Sequence, residues 1–337
     1  MNDSACVEFL RWALPRLRMR WPGFRKVRRQ VCKRIARRVR ALGLPDLETY
    51  RRRLESDPAE WKILDGLCTI PISRFGRDRG VFEVLREEVI PAIAEDALAS
   101  EERVLRAWSA GCASGEEPYS LAILWRLDLA RRFPGLAIEV VATDVDARLL
   151  ERAREGCYAA SSLKDLPPAW IEAAFTRRGA QFAIRDPLRA GIDFRREDLR
   201  ETMPEGPFRL VLCRNVAFTY FDEPLQREVL ARMASRIVPG GALVVGIHES
   251  LPPGAEGFAP WFPRLGVFRR AIGQRPRASA PTAVRYTALP PREPRAPSLP
   301  APPRRTVSSH RAGSVWGRSA GASSGTGSGP RGEGLRP

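Results

Sequence analysis

The stretch VLRAWSAGCASGEEPYSLAI (104–123) decides the fold. Its first seven residues read as a strand, residues 111–117 as a glycine-bearing turn, and the run from 118 to 133 as a helix. Working outward, 138–143 is a second apolar strand that ends on Asp144, and 146–155 is a helix. Further on come a strand at 208–213, a helix at 223–237 and a strand at 242–247. Strands alternating with helices predict a doubly wound, mostly parallel α/β sheet. Ligands of such sheets bind beyond the carboxyl ends of the strands, where the strand order reverses. The informative loops are therefore 110–117, 144–146 and 213–221.

The first loop, Gly111-Cys112-Ala113-Ser114-Gly115-Glu116-Glu117, is not a G-x-G-x-x-G phosphate loop. Its glycines allow close approach of a ligand to the backbone. Its two acids disfavour a pyrophosphate and suit a ligand with an ammonium group, such as the methionine part of S-adenosylmethionine. Asp144, at the end of the second strand, is placed to accept hydrogen bonds from a ribose diol. That geometry serves nicotinamide dinucleotides and S-adenosylmethionine alike, and the missing phosphate loop favours the second. Asp198 precedes the strand at 208 and is a candidate for the adenine edge.

The flanks differ from this centre. The net charge of +17 is split into +12 over residues 1–53, −4 over 54–272 and +9 over 273–337. The spacing of Phe24, Val27, Val31, Ile35, Val39 and Leu42 predicts one helix over 24–42. Its other face holds nine basic residues, Arg25, Lys26, Arg28, Arg29, Lys33, Arg34, Arg37, Arg38 and Arg40. Gly43 ends it, Asp46 caps the next helix and Pro58 starts another. Residues 1–70 thus read as an all-helical domain and 71–272 as the α/β domain that carries the cofactor loops. Within the latter, 177–194 reads as a small β insert. The segment 273–337 is rich in Arg, Pro, Ser and Gly and has too little apolar patterning to offset ordering entropy, so it is expected to be disordered. An acidic partner is expected for the basic ends.

The six cysteines are scattered without a C-x-x-C, and there are two histidines, so no metal site is expected and the thiols are expected to be free. No run of about 18 apolar residues is present, and the N-terminus lacks a secretory pattern. The expected location is the cytoplasm.

Several ordered motifs carry a family resemblance: RIARRVRALGL (34–44), LESDPAEW (54–61), TIPISRFGRD (69–78), WSAGCASGEEPYSLAI (108–123), ATDVD (142–146), GPFRLVLCRNV (206–216), YFDEPLQREVL (220–230) and PGGALVVGIHES (239–250). The sequence resembles, as a divergent member, the CheR-type chemotaxis-receptor glutamate methyltransferases. The resemblance runs from about Phe24 to Arg270. It implies a Rossmann-like S-adenosylmethionine-dependent methyltransferase domain, an N-terminal helical domain and a small antiparallel β subdomain. It implies methylation of glutamate side chains in the cytoplasmic part of a chemoreceptor, with the basic helix 24–42 docking that acidic substrate.

Position by position, the resemblance implies cofactor contacts for Ser73, Arg77, Gly111, Glu117, Asp144, Asp198, Leu199, Arg214 and Asn215. It places Arg77 near the transferred methyl and Tyr220 as the active-site tyrosine. The interdomain segment departs from the family pattern Thr-Asn-x-Thr-x-Phe-Phe-Arg: Pro71 stands for the Asn and Gly76 for the second aromatic, which implies a lost cofactor hydrogen bond and a lost packing ring. The stretch 215–221 is one residue longer than usual. The alternatives are a methyltransferase acting on RNA or a small molecule, and a non-catalytic cofactor-binding signalling protein. Neither an Asn-Pro-Pro-Tyr-type motif nor a Pro-Cys motif is present, so nucleic acid is not the expected partner. A monomer is expected.

Overall fold

The computed structural model describes residues 2–255 and 257–273. Apart from Gly273, the Arg- and Pro-rich segment expected to be disordered lies outside the described residues.

The N-terminal part is helical: α1 (Asp3–Ala13), α2 (Trp21–Phe24), α3 (Arg28–Ala41), α4 (Leu47–Ser56) and α5 (Pro58–Cys68). Local sequence sets the ends. Asp46 accepts from the Thr49 backbone N–H at 2.8 Å and caps α4. Pro58 opens α5, and Gly43, at φ +66°, follows α3. Val31, Ile35, Tyr50, Leu54 and Leu64 close one shared core.

Two expectations fail here. The helix expected over 24–42 is broken at 25–27, and α3 begins at Arg28. Phe24 and Val27 keep helical spacing but serve different partners. The Phe24 ring packs on Tyr220 at 5.1 Å between centroids, which turns the chain before α3 starts. The cysteines are also not all free: Cys6 and Cys32 form a disulfide between α1 and α3, whose packing brings their Cα atoms to 6.0 Å. Cys68, Cys112, Cys157 and Cys213 are unpaired.

The α/β part opens with α6 (Arg79–Val84), a π turn and α7 (Ile90–Ala99). It continues as β1 (Val104–Ala110), α8 (Glu116–Leu127), β2 (Ala137–Asp144), α9 (Ala147–Glu155), β3 (Cys157–Ala159), α10 (Pro168–Ala174), β4 (Phe175–Arg178), β5 (Gln181–Ile184), β6 (Ile192–Arg196), β7 (Phe208–Cys213), α11 (Ala217–Tyr220), α12 (Glu223–Ala234), β8 (Ile237–Val245), β9 (Phe258–Phe262) and β10 (Val267–Arg270). The main sheet has the order β6-β2-β1-β7-β8-β10-β9. Its first five strands are parallel, β10 pairs antiparallel with β8, and β9 pairs antiparallel with β10. All six side chains of β7 are buried, as a central strand covered on both faces requires. The chain moves outward from β1 through β2 to β6, then returns to β7 on the other side of β1. The crevice beyond β1 and β7 is therefore the switch point of the sheet.

The β insert expected over 177–194 divides between two sheets. A separate three-stranded antiparallel sheet, β3-β5-β4, uses 157–159 as its third strand. Residues 192–196 instead pair in parallel with β2 as the edge of the main sheet. Short strands carry no sign of which sheet they join.

Candidate functional site

Gly111, Glu117, Asp144, Asp198, Leu199, Arg214, Asn215, Tyr220, Ser73 and Arg77 all line one cavity of about 250 Å³. Four strand ends and the segment after α5 supply them. The cavity thus sits at the switch point and is closed on one side by Phe24 and Val27 of the helical part.

The loop after β1 is built for close approach. Gly111 has φ +78°, and a Cβ there would sit 2.5 Å from a Val216 methyl. Ala113, Asp78 and Asn215 also hold positive φ, between 48° and 59°. Ala113 and Asn215 both line the cavity, and Asp78 directly follows the lining residue Arg77, so backbone strain gathers at and beside the site.

The acids are held in fixed poses. Asp144 accepts from the Ala113 backbone N–H and from the Asp146 backbone N–H, both at 2.9 Å. Burial pushes its carboxyl above the usual range. Glu117 accepts from the Ser109 hydroxyl at 2.7 Å and from Arg214 at 3.2 Å. Asp198 is committed to Arg200, which donates to it at 2.7–3.1 Å. Burial pushes the Asp198 carboxyl up, but the Arg200 hydrogen bonds outweigh that and hold it below its ordinary value.

Four arginines line the cavity, and three hold a carboxylate at hydrogen-bond distance. Arg74 pairs with Asp165, Arg200 with Asp65 and Asp198, and Arg214 with Asp78 and Glu117. Arg77 differs. Its nearest carboxylate oxygen, on Asp78, lies 3.9 Å away, and one of its amino groups donates to the Ile72 carbonyl at 2.8 Å. Arg77 therefore keeps donors for something else. Tyr220 faces the same positive charge; burial raises its phenol pKa, so it is a neutral donor at physiological pH.

The lining includes no histidine and no lysine. Its two thiols are protonated: burial pushes Cys68 up to about 12 and Cys112 well above its ordinary value. The cavity thus offers no thiolate, imidazole or amine as a nucleophile or base. What it does hold is unsatisfied polarity. Among the described residues four buried side-chain polar atoms lack a hydrogen-bond partner, and three of them, Glu197 Oε2, Arg214 Nε and Asn215 Oδ1, belong to cavity-lining residues. Native interiors rarely leave such atoms orphaned, so their clustering points to a polar ligand.

Residues 72–261 match the family model of the CheR methyltransferase SAM binding domain, and residues 26–64 match that of the CheR methyltransferase all-alpha domain. The chain belongs to the CheR methyltransferase family. Among the relatives of this CheR protein, a chemotaxis protein methyltransferase of Listeria innocua is 36% identical over 202 residues, which cover 60% of this chain and 74% of that one. The chemotaxis protein methyltransferase of Escherichia coli is 34% identical over 232 residues, covering 66% and 77%. An uncharacterized 104.1 kDa protein of Rhodobacter capsulatus is 39% identical over 224 residues, 66% of this chain but 23% of that protein's length. The fold is that of a Rossmann-like methyltransferase, the cofactor is S-adenosylmethionine, and the donor set fits it: two acids, a close-approach glycine and orphaned polar atoms surround one cavity.

The departures in the interdomain segment have a structural answer. Phe75 is fully buried and meets Tyr158 and Phe175 edge-on at 4.8 and 5.1 Å. Gly76 adopts φ +59°, and its N–H donates to the Ser120 hydroxyl at 3.0 Å. One ring therefore fills the pocket between α8 and the small sheet, and Gly76 forms the turn that brings Arg77 to the cavity.

Sequence reading passed over Glu249. Its carboxylate accepts from the Asn215 N–H at 2.8 Å, the Gly246 N–H at 2.6 Å and the Thr219 hydroxyl at 2.5 Å. Burial raises its pKa. It ties the loop of Asn215 and Tyr220 to the end of β8. An acid placed just past the last parallel strand was the available signal.

Proposed function

We propose that this protein transfers the methyl group of S-adenosylmethionine to glutamate side-chain carboxylates of a chemoreceptor-like protein and forms glutamate methyl esters. The observation that carries this reading is Arg77: among four cavity arginines it lacks a carboxylate at hydrogen-bond distance, so it is the cation open to an incoming one.

The chemistry asks for little else. S-adenosylmethionine supplies an electrophilic methyl on a sulfonium. A glutamate carboxylate, with a pKa of about 4.3, is ionised at neutral pH and needs no base. One carboxylate oxygen forms the new bond to carbon as the sulfur–carbon bond breaks, and the opposite charges neutralise each other. A cavity without histidine, lysine or thiolate suits such a reaction. Arg77 and Tyr220 orient the acceptor by hydrogen bonds. Phe24, Val27, Ile72 and Phe82 line the same space and exclude water from the carboxylate.

For the cofactor we assign Glu117 to the ammonium group and Asp144 to the ribose diol. Asp198 and Leu199 are assigned to the adenine, and Ser73, Gly111, Arg214 and Asn215 to the remaining contacts. Because Arg200 occupies the Asp198 carboxylate, Asp198 acts chiefly by its position in the wall.

Docking is assigned to the basic face. Arg28, Arg34 and Arg38 are engaged within the fold. Arg25, Lys26, Arg29, Lys33, Arg37 and Arg40 are exposed, beside Val27 on the cavity wall. This strip is complementary to an acidic helical surface that brings its glutamates to the cavity. Among the described residues no helix is long and apolar enough to cross a membrane, and we place the protein in the cytoplasm as a monomer, beside a receptor's cytoplasmic part.

The test is methyl transfer from radiolabelled S-adenosylmethionine to a purified chemoreceptor cytoplasmic fragment, followed by mild base. Glutamate methyl esters release the label as methanol. Label that stays on the fragment after base, or no label at all with receptor but transfer to RNA, contradicts the reading.

A further inference from the structure

Helix α11 is a single turn, Ala217–Tyr220, and it carries Tyr220 at its end. A turn this short leaves its last carbonyls without helical partners. In this protein Gln226 of α12 donates to the Phe218 carbonyl at 3.3 Å, and the rest of the capping comes from a distant part of the chain. Arg20, from the segment between α1 and α2, donates through Nε to the Thr219 carbonyl at 3.2 Å and through Nη2 to the Phe218 carbonyl. Its backbone N–H donates to the Tyr220 carbonyl at 2.8 Å. Met19 bridges Phe221, and Asp222 N–H donates to the Arg18 carbonyl at 2.9 Å. Residues 18–20 thus form a short strap along 219–222.

Two further features make this strap tight. Gly23 lies against the same turn: a Cβ there would meet the Thr219 carbonyl oxygen at 2.3 Å. The Phe24 ring then covers Tyr220. Arg20 has no carboxylate within 4.0 Å among the described residues, so its charge is spent on carbonyls at the negative end of α11. Glu249 grips the opposite side of the turn through Thr219 and Asn215. The turn bearing Tyr220 is therefore fixed between the catalytic sheet and the helical part, and nothing in its four residues could fix it alone.

We infer that Arg20 is a positioning residue for methyl transfer, which caps α11 from the helical part and so sets the Tyr220 phenol against the acceptor. This rests on the assignment of Tyr220 to the acceptor in the proposed reaction. It makes the helical part more than a docking surface: the element that would hold the substrate also holds a group that would orient the reacting carboxylate.

The test uses the full chain with the chemoreceptor cytoplasmic fragment as acceptor. Arg20→Met keeps the apolar stem and removes the cap. Gly23→Ala presses on the same turn by steric contact alone and carries the test if Arg20→Met fails to fold. Both are expected to lower kcat roughly ten- to a hundredfold, since small misplacements at a reacting centre cost that much. Calorimetric binding of S-adenosylhomocysteine is expected to stay within about twofold, because Glu117 stands on α8 and Asp144 at the end of β2, apart from α11. Arg20→Lys is expected to recover part of the loss by capping one carbonyl. In a Tyr220→Phe background the loss from Arg20→Met is expected to shrink, because the displaced hydroxyl is already gone. Wild-type kcat in both variants, an equal loss of cofactor affinity, or an undiminished loss in the Tyr220→Phe background overturns the inference while leaving the proposed reaction standing. Full turnover by Tyr220→Phe itself removes Tyr220 from the acceptor site, and this inference with it.

Discussion

Two buried polar networks in this molecule are built from the same residue types and end differently. In the helical part, the Glu60 carboxylate accepts from Arg38 at 2.9 and 2.7 Å and from the Tyr50 hydroxyl at 2.8 Å. No side-chain atom of these three is left buried and unpartnered. In the cavity, Glu117, Asp78 and Arg214 also interlock, but Arg214 Nε, Asn215 Oδ1 and Glu197 Oε2 stay unpaired, and Arg77 keeps free donors. A closed network holds a fold together; an open one is finished by what binds to it.

Breaking the closed network has the largest expected effect on stability. Glu60→Ala leaves the Arg38 guanidinium and the Tyr50 hydroxyl without a partner and is expected to cost about 3 kcal/mol. Thermal denaturation measures this, and S-adenosylhomocysteine binding to the remaining folded protein should be unchanged. The acid limb sharpens the point. Arg38 hydrogen bonds hold the Glu60 carboxyl below its ordinary value. Its stabilisation is thus complete above the unfolded value, near 4.3, and disappears as pH falls through the folded value. Acid unfolding of Glu60→Gln should show a shallower slope there.

The cavity acid Asp144, which lines the same space as the open network, is expected to respond in the opposite sense. Asp144→Ala removes the proposed ribose acceptor and should weaken S-adenosylhomocysteine binding by about 2 kcal/mol, roughly thirtyfold. Because burial raises the Asp144 carboxyl, its ionised form is disfavoured in the folded protein. The ligand-free variant should therefore melt no lower than the wild type at neutral pH. Binding to the wild type should weaken as pH falls through that raised value, earlier than an ordinary aspartate would require. Calorimetric titration across acid pH reads both.

A smaller effect is expected from the exposed face. Reversing Arg29, Lys33, Arg37 and Arg40 to Glu leaves the buried Val31, Ile35 and Val39 in place, so α3 should remain folded. Methyl transfer to the receptor fragment should slow about tenfold at low salt. The gap should narrow as salt screens the surface, over a length of about 10 Å at 0.1 M. An unchanged low-salt rate would make the basic face a solvated surface and nothing more.

The two networks were not equally legible in the sequence. The central strands β1 and β7 stand out because mostly apolar runs, interrupted by Arg106 and Ser109 in one and Arg209 in the other, end in glycine or polar loops, and Asp144 is marked by its place at a strand end. Those signals are local, and they locate one wall of the cavity. The break at 25–27 is hidden because Phe24 and Val27 keep helical spacing while packing on different partners. Strand β6 joins the main sheet and not the small one, which five residues cannot announce. Cys6 and Cys32, and likewise Arg20 and Thr219, meet through the packing of distant segments. Glu249 is the intermediate case: an acid at a strand end, readable as Asp144 was, with its three partners supplied by the fold.

Arg77 is where the comparison is most exposed to test, because its free donors carry the proposal that the cavity receives a carboxylate. The decisive measurement pairs the methyl-transfer rate of Arg77→Ala on the receptor fragment with its calorimetric affinity for S-adenosylhomocysteine. The account expects turnover to fall about a hundredfold or more, equivalent to about 3 kcal/mol of transition-state stabilisation, while affinity changes by much less. Wild-type turnover, or a loss of turnover matched by an equal loss of cofactor affinity, would contradict it.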